Sequence, residues 1–306
     1  MPGLEIRPFS DEHIDAAAEL LAARHRRHRQ AEPLLPDVVD FRAHVERDWR
    51  AENASGAVAL VDGKPDAYLI GRVTEDDCLV DFAGFAARDA ALIRDLYAHV
   101  ASRWVDDGQL RHRVHVPAFD NAAVDAWFRL AFGLQLSFGV RETAVETPHT
   151  DVSVRRGRRD DLDDSVALAR ALHAHQQLAP SFSGRPIPPD DEYRESWEGT
   201  ADDPAFTYFV AEQHGRVIGH LVLYRRPPTD LRIAPDSIDL SHAVTLPDVR
   251  GSGAGVALTA RALTWAHEAG YRAMSVDWRE VNLLSSRFWP RRGFRPTFLR
   301  LYRHIP

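Results

Sequence analysis

The chain reads twice, and this weak internal repeat constrains its fold more than any other feature. Each half opens with a short strand signal carrying arginine, Ile6-Arg7-Pro8 or Val154-Arg155-Arg156. An acidic turn and an amphipathic helical pattern follow, Asp11 to Arg24 or Asp160 to His173. After a polar, proline-containing stretch comes a hairpin signal of short apolar runs around a glycine turn. In the first half it runs from Val58 through Asp62-Gly63 to Ile70, in the second from Tyr208 through His214-Gly215 to Leu223. Each half then predicts a second long helix, Ala87 to Val105 or Gly255 to Ala269, stopped by Gly108 or Gly270. A β-rich run, an asparagine-led helix and a closing strand (Phe138 to Val145 or Phe298 to His304) complete each copy. Strands and helices alternating around hairpins predict an α/β fold, a mixed sheet in each of two domains, 1–148 and 151–306. Thr147-Pro148-His149-Thr150 reads as the linker.

Composition removes several chemistries. Cys78 is the sole cysteine among 306 residues, so no intrachain disulfide or cysteine-rich zinc site is available. Lys64 is the sole lysine and lies in the turn sequence Asp62-Gly63-Lys64-Pro65, where proline stands in place of the hydroxyl residue of a nucleotide-binding P-loop. A net charge of −7 argues against a broad nucleic-acid-binding face. No apolar run approaches the roughly 18 residues of a membrane span, and Met1 to Ser10 lack a signal-peptide core. These readings predict a soluble cytoplasmic protein with no membrane or nucleic-acid partner and no metal.

The sharpest local motif is Thr245-Leu246-Pro247-Asp248-Val249-Arg250-Gly251-Ser252-Gly253-Ala254-Gly255. It follows an apolar strand, Ile238 to Thr245, and opens a helix. Glycines at 251, 253 and 255 let backbone N–H groups approach an anion, and a helix N-terminus adds its dipole; a pyrophosphate suits such a site. A second signature follows: Asn282, Ser285, Trp289 and Gly293-Phe294.

These two motifs, in this order, resemble the GNAT superfamily of acyl-CoA-dependent N-acetyltransferases, closely over 151–306 and over 1–148 only through the repeat. The resemblance implies two tandem GNAT-like domains and acetyl-CoA as co-substrate. It implies that Ala243, Val244 and Thr245 meet the pantetheine arm through their backbone, and that Arg250, Gly251, Ser252, Gly253, Ala254, Gly255 and Val256 wrap the pyrophosphate. Asn282 would bind the pantetheine region, with Phe288 and Trp289 near the thiol. The first half has Arg88-Asp89-Ala90-Ala91-Leu92-Ile93 where the phosphate loop belongs. Without glycines, and with Asp89 repelling phosphate, it is expected to keep the fold and lack the cofactor site.

The implied reaction is direct attack of a primary amine on the thioester. Asp277, five residues before Asn282, is the first candidate for the base; Val116 stands at that place before Asn121. Asp239 and His242 are further candidates on the strand entering the loop. Strict strand alternation would point them to opposite faces, so that at most one enters the site. A Trp at 289, where many members of the family have the tyrosine acid, leaves Ser285, Ser286, Tyr302 or water for that role, since an indole N–H is no acid. The stretch Gln176 to Trp197 is expected to choose the acceptor. The runs Asp190-Asp191-Glu192 and Arg24 to Arg29 are expected to be solvated helix surface. The expected acceptor is a small-molecule amine. The alternatives are a peptide or protein acceptor, or a non-catalytic acyl-CoA-binding sensor.

Overall fold

The computed structural model describes residues 3–74, 77–148, 150–183, 187–227 and 231–306. It divides into two compact units. One comprises Met1–Phe138, Thr229–Ala234 and Pro296–Pro306; the other comprises Gly139–Pro228 and Pro235–Arg295.

The first unit is built from β1 (Leu4–Pro8), α1 (Ile14–Ala31), α2 (Phe41–Trp49), β2 (Ala54–Val61), β3 (Lys64–Val73), β4 (Cys78–Val80), β5 (Phe85–Ala87), α3 (Leu92–Asp106), β6 (Arg111–Pro117), α4 (Asn121–Phe128) and the start of β7 (Gly133–Glu142). β1, β2 and β3 form an antiparallel meander, and β4 lies parallel to β6. On one side, Leu92, Leu96, Val100 and Trp104 of α3 are buried against Ala57, Leu69 and Val114 of the strands. This i, i+4, i+8 spacing places one helical stripe on the sheet. On the other side, Ile14, Ala17 and Leu21 of α1 pack with Tyr68 and Ile70.

The basic run on α1 is not simply solvated surface. Arg24, His25 and His28 are buried, because positions i, i+1 and i+4 continue the apolar stripe of the helix inward. Arg24 donates to the backbone carbonyls of Phe82 and Phe85, which compensates for its burial.

The second unit contains β8 (Ser153–Arg156), α5 (Leu162–Gln177), α6 (Asp190–Asp202), β9 (Phe206–Gln213), β10 (Arg216–Tyr224), β11 (Ser237–Thr245), α7 (Ala254–Glu268), β12 (Ala273–Arg279) and α8 (Ser285–Arg291). Its strands run in the order β12-β11-β10-β9-β8, with β11 parallel to β12 and the remaining pairs antiparallel. Ala257, Leu258, Leu263 and Ala266 of α7 cover one face together with Leu221, Leu223 and Met274. Val166 and Ala169 of α5 and Tyr193 and Trp197 of α6 cover the other, against Val222. The mixed α/β sheet expected in each half is present.

No single cut in the chain separates the units. The last strand, β13 (Arg295–His304), completes the first unit, lying antiparallel to β6 with Phe298 opposite Pro117 and His304 opposite Arg111. The end of β7 belongs to the second unit, beside β12. Close approach there requires glycine: a Cβ on Gly139 would stand 2.6 Å from the Trp278 ring.

Candidate active site

β11 is the strand on which the site is assembled. Against β10, Tyr224 lies opposite Asp239 and Leu223 opposite Leu240, but Val222 lies opposite His242. Ser241 is the extra residue of a β-bulge. Val222 and Tyr224 share a face of β10, so their partners Asp239 and His242 share a face of β11. This corrects the expectation from strict alternation: the bulge resets the phase, and both side chains point toward the face covered by α5 and α6.

β12 adds a third candidate to that face. Asp239 is paired with Ser275, whose Oγ donates to Asp239 Oδ1 at 2.6 Å. Asp277, two residues along, therefore projects the same way, and it is exposed. The β11–β12 ladder runs from Ser237 with Ala273 to Leu240 with Val276 and then stops, although both strands continue. Beyond that point the two strands have no register. His242, Ala243, Val244 and Thr245 stay paired with β10 but are released from β12, and Asp277 begins the stretch of β12 that is released from β11.

The three acid–base candidates differ sharply in surroundings. Asp239 is buried and forms an ion pair with Arg226 at 2.6 Å as well as accepting from Ser275. With its oxygens engaged, it is a structural anchor. His242 is hydrogen-bonded through Nδ1 to Nε2 of His220, 2.8 Å away. Burial, followed by the nearby His173, pushes the His242 pKa down to about 4. His220 is fully buried, and the same desolvation holds it well below the ordinary range. Trp197 packs against both rings, its centroid 4.6 Å from that of His220 and 5.7 Å, edge-on, from that of His242. His173 is hydrogen-bonded to Tyr193 close by on α5 and α6.

His220 and His173 were absent from the sequence-based candidates, whereas Tyr193 and Trp197 lie in the stretch expected to choose the acceptor. His220 occupies an inward position of an apolar strand, and a signal was available there. A histidine among Ile218, Leu221 and Val222 needs a buried partner.

β11 leads into the glycine loop. Pro247–Val249 make a 3-10 turn, Arg250 is exposed, and Gly251 and Gly253 both adopt φ +90°. Gly253 is the N-cap of α7, and Ala257 N–H donates to its carbonyl at 2.9 Å as the first helical bond. A Cβ on Gly253 would meet Thr150 Oγ1 at 2.8 Å, whereas one on Gly251 would meet nothing within 4 Å. Ser252 Oγ lies 3.4 Å from Ala254 N–H. Behind the loop, Ala254 is buried and Gly255 and Val256 continue the first turn of α7. The opening N–H groups of a helix lack intrahelical acceptors and carry the positive end of its dipole, which suits a phosphate.

The second signature is divided between structure and site. Asn282 is buried, and its Oδ1 accepts from Leu284 N–H at 3.1 Å and lies 3.3 Å from His175 Nε2. It therefore organises the entry to α8. Phe288 lies against the glycine loop, its Cζ 3.4 Å from where a Cβ on Gly255 would be. Trp289 is buried in the core, with ring centroids 4.9 Å from Phe288 and 5.5 Å from Phe294. Tyr302 lies on β13 in the first unit. Of the acceptor stretch, Asp190-Asp191-Glu192 forms the first turn of α6, and residues 184–186 lie outside the described residues.

In the first unit the place of the glycine loop is occupied differently. Asp89 Oδ1 accepts from Ala91 N–H at 2.9 Å, immediately before α3. The chain's own carboxylate thus sits where an external anion would bind. Among the described residues, no group of histidine, cysteine, aspartate and glutamate is arranged to hold a metal ion. No described helix is long and apolar enough to cross a membrane.

Residues 171–294, in the second half of the chain, match the acetyltransferase (GNAT) family. The structure is similar to that of a GCN5-related N-acetyltransferase from Sphaerobacter thermophilus, with 15% identity, a TM-score of 0.61, and coverage of 100% of this chain and 96% of that one. It is also similar to a GCN5-related glucosamine N-acetyltransferase region of a fungal multi-domain GH3 β-N-acetylglucosaminidase. There the identity is 16% and the TM-score 0.55, over 99% of this chain and 38% of that one. At these identities the likeness establishes the fold, which extends over both halves. No curated protein sequence matches the chain.

Proposed function

We propose that the second unit transfers an acetyl group from acetyl-CoA to a primary amine of a small molecule, by direct attack in a ternary complex. The observation that carries this reading is the release of β11 from β12 beyond Leu240 and Val276, directly ahead of a helix start with two glycines at φ +90°. The residues suit the co-substrate. Backbone N–H groups from Gly251 to Val256 would hold the pyrophosphate, with Arg250 beside them. The open edge of Ala243, Val244 and Thr245 would pair with the pantetheine amides, and Phe288 would flank the loop. Acetyl-CoA supplies the acyl group as a thioester, whose carbon gains an N–C bond to the amine as its C–S bond breaks.

Asp277 removes the amine proton. Once the nitrogen bonds the acyl carbon it becomes strongly acidic, so an exposed carboxylate is a sufficient base. The departing thiolate takes its proton from solvent, because Trp289 is buried in the core and offers no acid. The first unit serves as a scaffold without cofactor, its helix start already occupied by Asp89.

Calorimetric titration with acetyl-CoA, followed by thiol release across a panel of amines, tests the reading. Binding of one equivalent, with amine-dependent thiol release that falls about 100-fold in Asp277→Asn, supports it. Tight binding with no release for any amine would instead identify an acyl-CoA sensor, the alternative that the buried Trp289 favours. Release with peptide amines alone would move the acceptor class to polypeptides.

A further inference from the structure

The His220–His242 pair has a direction. Each neutral imidazole carries one proton, so one ring nitrogen of each donates and the other accepts. If His242 Nδ1 donated to His220 Nε2, the proton of His220 would sit on Nδ1. That atom is buried with no hydrogen-bond partner among the described residues. A buried N–H without an acceptor is the rarest kind of unpaired group, and its desolvation goes uncompensated. The opposite arrangement avoids it: His220 Nε2–H donates, His242 Nδ1 accepts, and the proton of His242 sits on Nε2. Both rings lie against Trp197, and burial disfavours protonation of either. Among the described residues His242 has no other hydrogen-bond partner, so its Nε2–H remains available to a bound molecule.

We propose that His242 is an electrophilic catalyst rather than a base: His220 locks it as the Nε2–H tautomer, and that N–H donates to the thioester carbonyl oxygen as negative charge builds there. This rests on the assignment of acetyl-CoA to the open end of β11, where His242 lies. His242 gives up no proton in the step. The amine proton goes to Asp277 and from there to solvent, and solvent protonates the departing thiolate, so atoms and charge balance. A neutral imidazole suits the task, since it polarises a carbonyl without transferring its proton, and a fixed donor at a developing oxyanion contributes about 10²–10³-fold to turnover. His220 is the positioning residue.

Nitrogen-15 NMR of the intact, histidine-labelled protein reads the tautomer before any turnover. The expected result is an Nε2–H on His242 that shifts on addition of acetyl-CoA but not of CoA, which lacks the carbonyl. An Nδ1–H on His242, or an Nε2–H unmoved by acetyl-CoA that calorimetry shows to be bound, overturns the proposal and leaves the transferase reading intact. Absence of acetyl-CoA binding overturns both.

Side-chain replacement separates donor from base. His242→Gln retains an N–H donor but cannot accept a proton at neutral pH, and it should keep turnover within about tenfold of the wild type. His242→Ala should lose about 100-fold or more. Equal inactivity of the two variants would restore His242 as the base. His220→Gln, whose amide can still donate to His242 Nδ1, should keep most of the turnover. His220→Phe packs as well under Trp197 but cannot donate, and it should lower kcat by about tenfold with KM for acetyl-CoA unchanged. The reverse order would reduce His220 to a packing role. If neither His220 variant folds, the wild-type tautomer decides.

Discussion

Asp239 and His242 project from the same face of β11, three residues apart, because Ser241 bulges out between them. The bulge gathers the polar groups of the second unit under α5 and α6, where Asp277 joins them from β12. It also makes their division of labour testable, because one carboxylate is buried and the other is exposed.

Asp239 is an anchor. Asp239→Ala would strand the Arg226 guanidinium and the Ser275 hydroxyl, so it should cost about 2–3 kcal/mol, toward the low end for a broken buried pair because Arg226 is partly exposed. Urea unfolding measures this. Turnover per folded molecule should stay within a few-fold of wild type. A variant of normal stability with no turnover would make Asp239 catalytic.

The two loop glycines should respond differently to a methyl group. Both adopt φ +90°, so alanine strains the backbone at either by about 1–2 kcal/mol. At Gly253 the new Cβ also meets Thr150 Oγ1 at 2.8 Å, within the N-cap that starts α7. Gly253→Ala should weaken acetyl-CoA binding at least tenfold more than Gly251→Ala does. Calorimetry on both variants checks it, and equal affinities would remove the N-cap from the binding site.

Acid should destabilise the protein through its buried histidines. Burial lowers the pKa of His25 to about 4, of His28 to about 3 and of His242 to about 4, and lowers that of His220 further. In the unfolded chain these rings titrate near 6.5. As pH falls from about 6.5 toward 4 the unfolded state takes up protons that the folded state refuses, so stability present above pH 6.5 is lost. Each histidine contributes up to about 1.4 kcal/mol per pH unit. Asp48, pushed up to about 6 by burial, opposes this with one proton held more tightly in the folded state. Unfolding free energy should fall by more than about 2 kcal/mol between pH 7 and pH 5. A flat profile would mean that the rings are solvated.

One acetyl-CoA should bind per chain. Asp89 Oδ1 holds Ala91 N–H at the start of α3 and repels a phosphate there. Asp89→Asn removes the charge but supplies no glycine cradle, so calorimetry should still count one site. Two sites in the wild type would mean that the first unit kept its function.

Local patterns were legible without a structure. Glycines at 251, 253 and 255 after an apolar strand announced a helix start, and the φ of +90° at Gly251 and Gly253 is open to glycine and strained for other residues. The repeat announced two like folds, since hairpins and helix stops are written in neighbouring residues. Asp277 was singled out as a candidate by its spacing from Asn282.

What depended on tertiary structure was everything set by residues distant in sequence. The phase of β11 changed at Ser241 because a bulge is defined by the partner strand, and strict alternation within β11 alone assigned Asp239 and His242 to opposite faces. Arg24, His25 and His28 look like surface in a basic run until the rest of α1 turns that stripe toward the sheet. β13 completes the first unit although it closes the second copy of the repeat, since strand pairing is decided by non-local hydrogen bonds. The His220–His242 contact joins positions 22 residues apart through a register that no single strand encodes. Torsional preference acts between neighbours in the chain and can be read along it. Pairing, burial and the tautomer of a ring depend on which distant groups arrive beside it.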